Sequence, residues 1–210
     1  MVPLVEAAIA GFNHFLQEQQ NAPGQARLTL VLFDDTYLKH VDAIPVHEVI
    51  PLDTTTYVPG ASTALLDAIG RTIDELGARL ERTAEADRPG KVTVAILTDG
   101  LENASRHYTW RDVSERIKHQ TEKYSWEFLF LGANQDAIAT ALALSIDPDN
   151  SANWNPDIVG TRAASEAFSR RSASARSMRA GTATAADKLA AATPLQELVR
   201  EEDEKRRKKT

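Results

Sequence analysis

Two short stretches most constrain what this chain can fold into: KVTVAILT at 91–98 and WEFLFLGA at 126–133. Each is a largely apolar run of strand length, bounded by turn signals, as expected of a strand covered on both faces. Between them, residues 109–123 read as a helix. Two buried strands joined through a helix predict a crossover with parallel pairing.

The flanking segments extend the pattern. Residues 2–20 carry Val5, Ile9, Phe12 and Leu16 at helical spacing and end at the breaker cluster Asn21-Ala22-Pro23-Gly24. RLTLVLF (27–33) and TYLKHVDAI (36–44) predict a hairpin, with Asp34 and Asp35 as its turn residues. A polar loop follows at 46–62, and Leu66, Ile69, Ile73, Leu76 and Leu80 predict a helix over 63–84. Residues 134–144 predict a short helix with Asp136 near its start. The order α, ββ, α, β, α, β, α predicts an α/β fold: a Rossmann-like, doubly wound, mostly parallel sheet with one antiparallel edge hairpin.

Two segments are expected, 1–155 as this α/β domain and 156–210 as an extension. Residues 160–193 are rich in Ala, Ser, Thr and Arg, and Phe168 and Met178 are their candidate anchors. The last residues, EEDEKRRKKT, place four acids four positions before four bases, a pattern for a solvated helix or a disordered tail. Charge divides at the same place. Residues 1–159 hold 12 basic and 23 acidic side chains, and residues 160–210 hold 12 and 7. An acidic body argues against nucleic acid as the partner. The chain has no cysteine, which excludes disulfides and thiolate metal sites. No apolar run is long enough to cross a membrane, and Glu6 interrupts the N-terminal apolar stretch that a secretory leader would need. A cytoplasmic protein is expected.

In a doubly wound sheet, ligands bind at the carboxyl ends of the strands. Two segments are predicted to meet there, Gly60-Ala61-Ser62-Thr63 before a helix and Thr98-Asp99-Gly100 after a strand. Hydroxyl and carboxylate oxygens suit Mg²⁺ or Mn²⁺, so Thr63 and Asp99 are the candidate metal ligands, with Ser62, Gly100 and Asn103 shaping the rim. The plainer readings are that Ser62 or Thr63 caps the helix, that Asp67 complements its dipole, and that Asp99 is a turn residue. The five histidines show no metal-ligand spacing, and the chain contains no phosphate-binding glycine loop or nucleophile elbow.

GASTALLDAIGRTID, VTVAILTDGLENAS and WEFLFLGANQDA, in this order, resemble the von Willebrand factor A domain family, of the bacterial intracellular kind. The resemblance covers about residues 1–145. It implies a metal-ion-dependent adhesion site in which Thr63 matches the second loop and Asp99 the third. The first loop of that family, Asp-x-Ser-x-Ser after a central strand, has no counterpart here. The chain opens Met1-Val2-Pro3-Leu4 and enters its first helix directly, so Met1 is expected to correspond to the methionine that closes the motif. Either the start lies at an internal methionine or the protein is naturally short, and the central strand is expected to be missing.

The expected function is a non-enzymatic protein-binding module whose metal site is incomplete and whose partner supplies a carboxylate. Two alternatives stand beside it. One is a metal-free scaffold that binds through its extension. The other is a Mg²⁺-dependent phosphoryl hydrolase using Asp99, which lacks a second acid at a close motif spacing.

Overall fold

A computed structural model describes residues 2–133 and 136–208. Met1 and the first two residues of the helix expected at 134–144 lie outside the described residues.

The chain is an α/β protein with seven helices, a three-stranded parallel sheet and a separate two-stranded antiparallel hairpin among the described residues. Helix α1 (Val2–Asn21) leads into β1 (Arg27–Phe33) and β2 (Tyr37–Pro45), whose turn is closed by Asp34 accepting from the Thr36 amide and hydroxyl, both at 2.7 Å. This is the turn role expected of Asp34. Helix α2 (Leu65–Arg82) then leads to β3 (Thr93–Thr98), α3 (Trp110–Tyr124), β4 (Glu127–Gly132), α4 (Ala137–Ala143) and β5 (Ser151–Asn153). The order within the sheet is β3-β4-β5, with both pairs parallel. The predicted crossover between the 91–98 and 126–133 stretches is therefore present, in register Thr93 to Glu127 through Thr98 to Gly132.

The hairpin expected at the edge of this sheet is not hydrogen-bonded to it. Among the described residues, β1 pairs only with β2, and β3 only with β4. Burial follows from that separation. β4 is buried along nearly its whole length, whereas β1 and β3 are mostly half-buried, and Leu97, on β3, is 43% exposed.

Apolar side chains fill both faces of the parallel sheet. On one face, Leu65, Ile69 and Ile73 of α2 and Val113 and Ile117 of α3 pack with Ile96, Phe128 and Phe130. Phe33 of β1 and Val94 of β3, both partly buried, also pack against this cluster. On the other face, Leu129, Leu131 and Ala152 meet Ala164 and Ala167 of α5 (Ile158–Ala180) and Leu195, Leu198 and Val199 of α7 (Leu195–Arg207). Alternating β4 side chains thus feed alternate clusters, the period of two that a strand imposes.

The segment after residue 156 is helical: α5, then α6 (Ala185–Ala192), then α7. Its anchoring is not the one expected, because Met178 is 49% exposed. Phe168 does stack on Phe15 of α1 with ring centroids 4.5 Å apart. The remaining contact is made by small residues, since Ala163, Ala164, Ala167 and Ser174 are almost fully buried. Small side chains let backbones approach closely. At the α1–α5 crossing, a Cβ on Gly11 would stand 2.2 Å from the Ser165 hydroxyl oxygen. Two arginines finish the join. Arg176 donates to the carbonyl oxygens of Gln19, Ala22, Pro23 and Gly24, satisfying the end of α1. Arg171, buried, donates to the Ala190, Ala191 and Asp149 carbonyls and to Asn150. Among the described residues, no helix is long and apolar enough to cross a membrane.

Candidate functional site

The loops after β1 and β3 and the loop before α2 meet at one end of the molecule. The Ala64 amide donates to the Asp34 carbonyl at 2.7 Å, tying the residue before α2 to the end of β1. Its neighbour Thr63 faces the end of β3, with its hydroxyl oxygen 2.4 Å from where a Cβ on Gly100 would stand. Gly60 packs as closely on the Asp34 carboxylate. A side chain at 60 or 100 would therefore have to displace Asp34 or Thr63. Thr63 and Asn103 are clasped in both directions: the Thr63 amide donates to Asn103 Oδ1 at 2.9 Å, and the Asn103 amide donates to the Thr63 carbonyl at 3.0 Å.

Thr63 and the Thr98-Asp99-Gly100 turn, expected to converge, are thus brought together. Asp99 is exposed, and burial, followed by the Asp99 charge, raises the Tyr57 phenol above its usual pKa. Tyr57 was not singled out in the sequence, where it lies in a polar loop without a motif. The loop before α2 carries it to the edge.

The capping of α2 differs from expectation. Neither Ser62 nor Thr63 holds the N-cap position, which belongs to Ala64 with no side-chain bond of its own. The first-turn amides, which lack partners within the helix, are satisfied from a distance. Glu102 accepts from the Leu66 amide at 2.9 Å, and Ser105 Oγ accepts from the Asp67 amide at 3.0 Å. Glu102 also accepts from the Ala104 amide at 3.0 Å and the Ser105 amide at 2.8 Å. Its carboxylate places negative charge at the positive end of the helix.

Asp67 does more than complement the dipole. It accepts from the amides of Arg106, His107 and Tyr108, each at 2.9 Å. Burial works to raise its pKa, but these three donors outweigh it and hold the carboxyl below its ordinary value. Glu102 and Asp67 together bind the whole 102–108 segment to α2. That fixes Asp99 and Gly100 opposite Thr63.

No family model, curated protein or solved structure matches this chain.

A divalent cation would find few donors at this edge. Thr63 and Asp99 offer one hydroxyl and one carboxylate. Among the described residues no three of His, Cys, Asp or Glu come together in a group able to hold a metal ion. Mg²⁺ and Mn²⁺ favour six oxygen ligands. The residues present do not make such a centre by themselves. What the edge offers is an acidic and hydroxyl-bearing surface on rigidly clasped loops, with the apolar Leu101 exposed beside it.

Proposed function

We propose that this chain is a non-enzymatic protein-binding module of the von Willebrand factor A kind, which engages its partner through the edge formed by Thr63, Asp99 and Asn103. In this reading the hairpin and the parallel sheet are two parts of one doubly wound, Rossmann-like sheet whose central strand is not among the described residues. The observation that carries the reading is the convergence of the 60–64 and 98–103 loops at the ends of β1 and β3, where Thr63 meets Gly100 and Ala64 meets Asp34. Ligand sites in open α/β sheets lie at that end. Because Thr63 and Asp99 do not form a metal centre alone, the reading does not depend on Mg²⁺ or Mn²⁺. Exposed side chains on a rigid scaffold suit recognition. The phosphoryl-transfer alternative needs a nucleophile and cationic stabilisers around Asp99, and nothing placed at this edge favours it.

The test is photocrosslinking in the protein's own cells. A photoreactive residue replaces exposed Asn103 or Leu101. A discrete protein adduct that disappears when Asp99→Ala is combined with Thr63→Ala supports the edge. An adduct unchanged by those substitutions, or lost only when 158–207 is altered, moves recognition to the helical segment.

A further inference from the structure

Parallel pairing sets Thr98, Gly132 and Asn153 level with one another, so the carboxyl end of the sheet runs from β3 through β4 to β5. The Trp154 amide continues the ladder by donating to the Gly132 carbonyl at 3.1 Å. At this end of β5 lies a cavity of about 240 Å³, lined by Asn153, Trp154, Asn155, Gln196, Arg200 and Asp203. One wall is α7, where Gln196, Arg200 and Asp203 follow at helical spacing and so share a face. Open α/β sheets bind ligands at the carboxyl ends of their strands.

Two of the lining residues spend their polar groups on structure. The Asn153 amide donates to Gln196 Oε1 at 2.8 Å, and Gln196 Nε2 donates back to the Asn153 carbonyl at 3.3 Å. Asn153 Oδ1 accepts from the Ala137 amide at 3.0 Å. These bonds hold α7 against β5. Three other residues keep capacity to spare. Trp154 Nε1, a donor only, and Asp203 Oδ1, an acceptor only, are buried without a hydrogen-bond partner. Asp203 is anchored through its other oxygen, Oδ2, which accepts from Arg207 Nε at 2.7 Å. Arg200 is exposed and makes no ion pair among the described residues. Buried polar groups in folded proteins are nearly all paired, so an orphaned donor and an orphaned acceptor on residues of one cavity point to a ligand. Both side chains turn on soft terminal torsions, and a small rotation brings each atom to a molecule in the cavity.

We propose that this cavity binds a free α-amino acid. The ligand carboxylate accepts from Trp154 Nε1 and pairs with Arg200, and the ligand ammonium donates to Asp203 Oδ1. Charge decides the class. An anion alone would be repelled by Asp203 and a cation alone by Arg200, whereas a zwitterion is matched at both. Spacing narrows it further. Residues three apart on a helix have Cβ atoms about 5–6 Å apart, so the two ligand charges must sit close together, as on one α-carbon. Size agrees, because pockets for drug-sized ligands begin at about 300 Å³. The inference does not rest on Thr63 or Asp99, which stand at the β3 end of the sheet, across β4 from the cavity.

The test follows the indole N–H resonance of Trp154 by NMR in the isotope-labelled full chain, with Trp154→Phe identifying the signal. Each protein L-amino acid is added in turn. At least one should shift the resonance saturably below about 10 mM, as the indole gains an acceptor. Arg200→Gln and Asp203→Asn should each weaken that binding about tenfold or more. The N-acetyl and the carboxamide derivatives of the same amino acid, each lacking one charge, should lose about as much. Failure of every amino acid to saturate the shift overturns the proposal. So does equal binding of either derivative, or of acetate, which would make the cavity a simple anion site. Unchanged affinity in a folded Arg200→Gln chain overturns it as well. Exposed Arg200 can be replaced without disturbing the core, and the remaining amide resonances check that both variants are folded.

Discussion

Asp67 gives the sharpest test of how the binding edge is held. Asp67→Ala removes three bonds from the Arg106, His107 and Tyr108 amides, each 2.9 Å long in the parent. A hydrogen bond to a charged acceptor nets about 1.5–3 kcal/mol. Arg106 and His107 are exposed and their amides can turn to water, so the sum falls below three full bonds. A loss of about 2–3 kcal/mol at neutral pH is expected, read by urea unfolding. Asp67→Asn keeps one acceptor oxygen and should lose roughly half as much. The pH dependence has a fixed sign. The folded carboxyl titrates below its unfolded value, so its contribution is complete above the unfolded pKa of about 3.9 and disappears as pH falls through the folded one. The gap between parent and Asp67→Ala should therefore be constant from neutral pH to about 5 and close below about 4. A loss under about 0.5 kcal/mol, the usual range for surface changes, would refute the reasoning. So would a gap that widens on acidification.

Three further outcomes follow from other contacts. Arg171→Ala removes donors to the Ala190, Ala191 and Asp149 carbonyls and should cost about 3 kcal/mol in chemical unfolding; Arg171→Lys should recover only part of it. Gly100→Ala drives a methyl into the Thr63 hydroxyl, so it should shift the Thr63 and Asn103 amide resonances and weaken edge crosslinking. Its melting temperature should fall by no more than a few degrees, as for about 1 kcal/mol in a chain of this size. Mn²⁺ titrated into the labelled chain should broaden the Thr63 and Gly100 amides only at about millimolar levels or above, and submicromolar affinity would show a fuller donor set than the one described.

Much of this architecture was legible because its strands and helices carry strong periodicities. The spacing of Leu66, Ile69 and Ile73 marks the inner face of α2, and all three are buried. The boundaries moved by a few residues, and the parallel crossover from β3 to β4 stood as expected. β5 was missed because Ser151–Asn153 is three residues with no apolar alternation. The depth of α5 was missed for a different reason. Its buried face is Ala163, Ala164, Ala167 and Ser174, small residues that register weakly on any hydrophobicity pattern but allow close helix approach. At the edge, the convergence of Thr63 with the Asp99 turn was legible from strand-end chemistry. The cap was not, since Glu102 and Ser105 reach α2 from nearly forty residues away, and local capping rules see only neighbours. The separation of hairpin from sheet reflects long-range pairing. The run RLTLVLF announces a strand and says nothing of which edge it joins.

The central claim about the architecture is that β3 is an edge strand, separate from the hairpin among the described residues, and amide hydrogen exchange along β3 tests it most directly. The account predicts an alternation in the free chain: slow exchange at Val94 and Ile96, whose amides face β4, and fast exchange at Ala95 and Leu97, whose amides face away from it. Uniformly slow exchange from Thr93 to Thr98 would contradict it, because the edge would then already be paired or closed.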